Sequence, residues 1–361
     1  MARVNRVPAV PLLLAIGVAA LAAVSPASVP ASAGAIPTNR ELVGQRLMVA
    51  MAGTRPTPSL LGRISRGEVG GVILFGSNVT SPSQLRALTT TLQAAARTAG
   101  RPPLLIATDQ EGGSVRRLPW AGPALSASDL GGSTTAAIRS AARLAGQSLR
   151  SAGVTVDLAP VADVPGPGSF MAADDRTFGG SSGVVGRAVT AFVGGLAEAK
   201  VAATAKHFPG IGRATRNTDF NAVVIPAGRG SLDRDLAPFR AAIAARTPLV
   251  MISNASYPAL DSKPAPWSSR IQALLRGELG FDGVTITDAL DGAAATRGRA
   301  LSSVAVLSAQ AGIDILLLTG SEGSSAAAYE RLVSAADAGR IPPASLRRSY
   351  DRILALKRAY G

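Results

Sequence analysis

Short β-branched apolar runs recur at residues 47–51, 71–75, 104–108, 154–158, 203–208, 249–253, 283–287 and 314–318, and each is followed by a longer stretch rich in Ala, Leu and Arg. That alternation predicts βα units around a parallel sheet. Helix signals fall between the runs: Ser81 with Pro82 before a helix that stops at Gly100, Ser133 before one that stops at Gly153, and Ser268 before one that stops near Gly280. About eight strand–helix pairs is what a single (β/α)8 TIM-type barrel of the α/β class requires. A doubly wound sheet would need a glycine-rich phosphate turn after an early strand, and none stands there. Residues 343–360 read as a closing C-terminal helix. No Pro/Ser linker or composition shift divides the chain after residue 33, so residues 34–361 are expected to form one barrel domain, with 35–40 as a flexible lead-in.

A chain with 47% hydrophobic and 17% charged residues is not disordered. It has no cysteine and one histidine, His207. Disulfide frameworks, thiol nucleophiles and zinc sites needing several Cys or His ligands are thereby excluded, and no metal or organic cofactor is expected. The formal net charge is +14, and all but four of the 37 basic residues are Arg. They are scattered, few aromatics accompany them and no basic run appears, which argues against nucleic acid. A basic surface suits an anionic polymer instead.

Residues 1–33 read as a signal peptide: Arg3 and Arg6, an apolar stretch at 11–24, and Ala31-Ser32-Ala33 as a small-residue cleavage site. The apolar stretch is short for a bilayer span. A secreted or wall-associated protein with no stable membrane span after cleavage is expected, an uncleaved anchor being the alternative. No heptads or long exposed apolar helix are visible, so a monomer is expected.

In such a barrel the active site lies at the C-terminal ends of the strands. The third predicted strand ends in Asp109-Gln110-Glu111-Gly112-Gly113, the fourth runs into Asp157 and Asp163, the fifth ends in Lys206-His207, the sixth in Asn254 and the seventh in Asp288. These groups can converge on one small polar ligand. Lys206 beside a neutral imidazole supplies donors suited to sugar hydroxyls, and a Pro/Gly turn then opens a long loop. Gly210-Ile211-Gly212 resembles the start of a dinucleotide turn, but Thr215 stands where the third Gly belongs. A serine esterase is disfavoured because no Gly-x-Ser-x-Gly elbow is present.

GGVILFGSNV at 70–79, DQEGG at 109–113 with Arg116, DRTFGG at 175–180, KHFPG at 206–210 and TDAL at 287–290 occur in order. Together they resemble family 3 glycoside hydrolases, and most of all the bacterial β-N-acetylglucosaminidases (β-hexosaminidases) that act on peptidoglycan fragments. The resemblance runs from about residue 42 to 320 and itself implies a TIM barrel. It implies that Asp288 is the nucleophile of a retaining mechanism, and that Asp109, Arg176, Lys206 and His207 hold the hydroxyls of a terminal sugar. Arg116 is an additional candidate for that role, and Arg176 has pairing with Asp174 or Asp175 as its alternative.

The departure falls on the loop after KHFPG. The family continues with His-Gly and ends in Asp-Ser-His, whose His is the acid/base; here Ile211 and Asn217-Thr218-Asp219 stand instead. Asp219 is then the nearest substitute acid. A retaining pair needs its carboxyls about 5 to 5.5 Å apart, and the loop, hinged at Gly210 and Gly212, is expected to swing Asp219 toward Asp288. An anionic Asp repels phosphate, which favours hydrolysis over phosphorolysis. The expected activity is exo-hydrolysis of β-linked N-acetylglucosamine from a peptidoglycan-derived or chitin-derived oligosaccharide. The alternatives are a β-glucosidase-type member, which would normally add a second domain, and a saccharide-binding protein that has lost its acid/base.

Overall fold

The computed structural model describes residues 1–3 and 37–361, so the apolar stretch and cleavage site of the expected signal lie outside the described residues. Pro37–Gly361 forms one compact unit. Its strands are β1 (Leu47–Ala50), β2 (Gly71–Ile73), β3 (Leu105–Thr108), a short antiparallel pair β4 (Gln110–Gly112) and β5 (Val115–Arg116), then β6 (Val156–Asp157), β7 (Ala202–Phe208), β8 (Leu249–Ile252), β9 (Val284–Thr287) and β10 (Leu316–Leu318). All but β4 and β5 join in one parallel sheet in the order β10-β1-β2-β3-β6-β7-β8-β9. A parallel bridge between Ile286 and Ile315 brings its two edges together, which makes the sheet the expected (β/α)8 barrel.

Closure follows from which side chains each strand can bury. Successive side chains point to opposite faces of a strand. Met48, Ile73, Leu105, Ala107, Met251, Ile286 and Leu317 meet inside the barrel, while Leu47, Val49, Val72, Ile106, Val250 and Ile252 face the helices. Both faces are covered, hence the nearly continuous apolar runs.

The connecting helices start where small polar residues can accept the first free amides. Ser81 caps Pro82–Thr98 and Ser268 caps Ser269–Ala273. Thr134, rather than Ser133, caps Thr135–Ser151 through the amide of Ala137. The expected lead-in is also corrected: Thr38 and Glu41 form a reciprocal capping box that starts the helix Asn39–Gly44, and Arg40 pairs with Glu330 at 2.7 Å.

The closing helix, Pro343–Tyr360, seals the end of the barrel opposite the strand C-termini. Ile353 and Leu356 join the interior cluster. Ser349 Oγ and Arg352 Nη1 donate to the buried Asp314 carboxylate, just upstream of β10, at 2.7 and 3.1 Å. The mouth at the strand C-termini stays open.

Candidate active site

A cavity of about 450 Å3 occupies that open mouth, and residues from the ends of β3, β7 and β9 line it together with the loop carrying Asp219. Its most buried wall is an ion network. Glu111, 3% exposed, accepts two hydrogen bonds from Arg176, at 2.8 and 2.9 Å, and lies 2.7 Å from Lys206 Nζ. Lys206 Nζ also donates to Asp109 Oδ1 at 2.8 Å. Burial alone would raise the Glu111 carboxyl, but Lys206 and Arg176 outweigh it and hold the group far below the usual carboxylate range. Burial would likewise depress Lys206, yet Asp109 and Glu111 raise it and keep the ammonium charged. Arg176 thus pairs with Glu111, not with Asp174 or Asp175.

The β4–β5 hairpin positions Asp109 and Glu111. Gln110, between them, is fully buried; its amide donates to Asp157 Oδ1 at 3.0 Å, and its side chain exchanges hydrogen bonds with Leu118. Side-chain alternation through the hairpin brings Val115 and Arg117 to the cavity. Arg116 is not among the lining residues; Arg117 Nη2 stands 4.0 Å from Asp109 Oδ2 in the place expected for it. Beneath the network, Asp157 Oδ2 is buried without a partner. Burial, reinforced by Asp109 and Glu111, pushes Asp157 up to about 8.

Lys206 and His207 both line the cavity although they are consecutive on β7. The register of β7 against β8 shifts between Ala205 and Phe208, an irregularity of the kind that re-aims side chains. His207 Nδ1 lies 2.8 Å from Oδ2 of the fully buried Asp163, whose Oδ1 accepts the Ile211 amide at 2.7 Å. With Nδ1 engaged, Nε2 is the nitrogen left for a ligand.

Asp288 follows β9. Its amide donates to Ile252 and its Oδ1 accepts from Ala289 N at 2.8 Å. Burial raises the Asp288 carboxyl, and nearby Asp219 adds to the rise while His207 opposes it. Asn254 does not line the cavity; its Nδ2 donates to the Ala289 carbonyl at 2.7 Å and steadies the turn beside Asp288.

Asp219 lines the same cavity, on a loop docked to the segment that follows Asp288. The Asp219 carbonyl accepts from Ala293 N at 2.8 Å, the Thr218 carbonyl from Ala294 N at 3.2 Å, and the Asp219 amide donates to Asn217 Oδ1 at 2.8 Å. Gly210 and Gly212, the expected hinge, are both held by contacts. A Cβ on Gly212 would stand 2.1 Å from the Val164 carbonyl, and the Gly210 carbonyl accepts from Tyr257 Oη at 3.0 Å. Close packing demands glycine at 212, and a backbone φ of +124° demands it at 210.

Asp109, Arg176, Lys206, His207, Asp219 and Asp288 are therefore brought together, and Arg116 is not. Reading by strand ends passed over the partners: Glu111 and Asp163 sit in the quoted segments, but their pairing with Arg176 and His207 crosses elements. Among the described residues no group of three or more His, Asp or Glu is placed to hold a metal ion.

The comparisons with known proteins agree with one another. The family model described as the glycosyl hydrolase family 3 N-terminal domain matches residues 38–356. A protein of Arthroderma benhamiae named as an uncharacterized secreted glycosyl hydrolase is 36% identical over 87% of this chain and 92% of its own. A beta-hexosaminidase of Alkalilimnicola ehrlichii is 36% identical over 75% of this chain and 80% of its own. Among solved structures, a β-N-acetylhexosaminidase from Beutenbergia cavernae superposes with a TM-score of 0.84 at 33% identity, over 90% of this chain and 99% of that one. A family 3 β-N-acetylglucosaminidase from Paenibacillus sp. gives 0.85 at 36% identity, over 90% of this chain but 63% of that one. Fold, cavity and relatives converge: the chain belongs to glycoside hydrolase family 3.

Proposed function

We propose that this family 3 glycosidase is an exported, exo-acting β-N-acetylglucosaminidase that works by retaining double displacement. The observation that carries the reading is the presence of Asp288 and Asp219 in one cavity whose floor is the Asp109–Lys206–Glu111–Arg176 network. Lys206, Arg176, Asp109 and His207 Nε2 hold the hydroxyls of the terminal sugar, and a pocket closed below by the barrel core takes a chain end rather than a chain interior. Asp288 attacks the anomeric carbon while the bond to the leaving oxygen breaks, and Asp219 gives that oxygen its proton. Water then adds to the glycosyl–Asp288 ester; its proton goes to Asp219 and the carboxylate of Asp288 is released.

The anionic state of Asp219 in the second step disfavours phosphate as the acceptor, so the product is the free sugar. Relatives named as beta-hexosaminidase and β-N-acetylglucosaminidase support the sugar. A relative named as secreted, the N-terminal signal pattern and the +14 charge support export to an anionic polysaccharide wall as the site of action, with peptidoglycan-derived fragments as substrate. No helix among the described residues is long and apolar enough to cross a membrane. One second reading has its own observation: the His207–Asp163 pair, buried in the same wall, is the other group able to deliver a proton to the leaving oxygen.

The test is release of N-acetylglucosamine from an aryl β-N-acetylglucosaminide and from an uncleaved disaccharide by the wild type and by Asp288→Ala and Asp219→Asn. Asp288→Ala is expected to abolish both. No turnover of either substrate by the wild type, with saturable sugar binding, overturns the enzyme reading in favour of a saccharide-binding protein.

A further inference from the structure

A second cleft, of about 510 Å3, opens between the turn Ala265–Trp267 and the helix Leu301–Ala311. Lys263, Trp267, Arg297, Arg299 and Gln310 line it with two serines, Ser262 and Ser269, and no acidic residue does. It shares an element with the active site. The helix Ala293–Thr296, whose first amides hold the Asp219 loop, ends at Arg297, which faces this cleft.

The polar inventory of the cleft is in large part unspent. The Arg299 guanidinium lies 5.4 Å from the centre of the Trp267 ring, and Arg297 Nη2 donates only to Ser256 Oγ, at 2.7 Å. The adjacent carboxylate, Asp261, does not line the cleft; it is occupied by Ser268 Oγ at 2.7 Å and the Lys263 amide at 3.3 Å. Three cations and an indole around a volume within the range of ordinary ligand sites form a site for a polar anion. Guanidinium groups bind carboxylates in paired hydrogen bonds, while Ser262 and Ser269 suit hydroxyls; Gln310 Nε2 already donates to the Arg340 carbonyl at 3.0 Å.

We propose that this cleft is a second, non-catalytic binding site for a carboxylate-bearing saccharide, which anchors an acidic glycan on the enzyme that cleaves its chain end. The choice of a saccharide over an acidic peptide rests on the hydrolase reading above. The carboxylate requirement rests on the cations alone.

Calorimetric titration of the full chain, at fixed ionic strength, with a tetragalacturonate, a neutral N-acetylglucosamine tetramer and a tetraglutamate tests this. The wild type is compared with Lys263→Glu/Arg299→Glu, with Lys263→Gln/Arg299→Gln, and with a charge-reversed control at the exposed Arg187 and Arg331, which do not line the cleft. Tetragalacturonate is expected to bind the wild type and the control alike and to lose about tenfold or more in affinity in both cleft variants, with aryl-glycoside turnover unchanged. Equal binding in the cleft variants and wild type, or tetraglutamate binding as tightly as tetragalacturonate, overturns the proposal. Loss of aryl turnover in the wild type with cleft-dependent galacturonate binding intact would instead sink the hydrolase reading and leave the cleft standing.

Discussion

The main-chain carbonyl of Asp219 accepts a hydrogen bond from the amide of Ala293 at 2.8 Å, five residues beyond Asp288. The proposed acid and nucleophile are thus held on one docked unit. Asp219→Asn keeps the backbone and removes the proton. Turnover of an unactivated disaccharide is expected to fall by about 10²- to 10⁴-fold, the range of general acid catalysis. An aryl substrate, whose leaving group needs little protonation, should lose far less. Comparable losses on both substrates would transfer the proton to His207, and His207→Gln would then show the leaving-group dependence instead.

If docking positions the acid, the amide of Ala293 matters although its side chain does nothing. Ala293 is the first residue of its helix, after Gly292 at φ −61° and ψ 149°. Proline is tolerated at a first helical position, and an extended backbone suits the residue before it. Ala293→Pro should therefore fold while losing the donor to Asp219. A fall in kcat on the disaccharide with KM and thermal midpoint little changed is expected. A kcat equal to wild type would show that the loop is positioned by other contacts.

The barrel was legible because its strands are buried on both faces and its helices carry side-chain caps, both of which are local patterns. All eight predicted strands overlap observed ones. The site was legible only as far as residues at strand ends. Asp163 and Glu111 could be read from the chain as polar residues near the mouth, but their hydrogen bonds to His207 and Arg176 span separations of 44 and 65 residues. Arg116 against Arg117 turned on the facing of a short hairpin that forms beyond β3, which no apolar alternation marks. The glycines after KHFPG read as a hinge because the Val164 carbonyl that crowds Gly212 is remote in sequence.

Glu111 joins two cations in a nearly dry wall, so its removal leaves Arg176 without its partner and Lys206 with Asp109 alone. Glu111→Gln is expected to cost about 3 to 5 kcal/mol of stability, as for other broken buried ion pairs, and to raise KM because Arg176 and Lys206 lose their common anchor. Chemical denaturation with steady-state kinetics on the same preparation checks both. A variant as stable as wild type would mean that solvent reaches the pair.

Ile353 and Leu356 plug the barrel at the end away from the site. Ile353→Ala should cost about 2 to 5 kcal/mol, as for large-to-alanine changes in packed cores, and leave kcat and KM of the folded fraction unchanged. A change in KM at a temperature well below the unfolding midpoint would contradict the separation of closing helix and catalytic mouth.

Asp157 ties stability to pH in a direction opposite to that of most carboxylates. In the folded chain it keeps its proton up to about pH 8, because burial and the nearby Asp109 and Glu111 disfavour the charge. The unfolded chain releases that proton near the ordinary value of about 3.9. Between those limits unfolding releases a proton, so stability falls as pH rises, by up to about 1.4 kcal/mol per pH unit from this group. Asp157→Asn preserves the acceptor for the Gln110 amide and cannot ionise. Denaturation midpoints measured from pH 5 to pH 8 should therefore decline more steeply for the wild type than for the variant, with the two curves diverging as pH rises. Parallel curves would mean that Asp157 is ionised in the folded protein and that Lys206 compensates it.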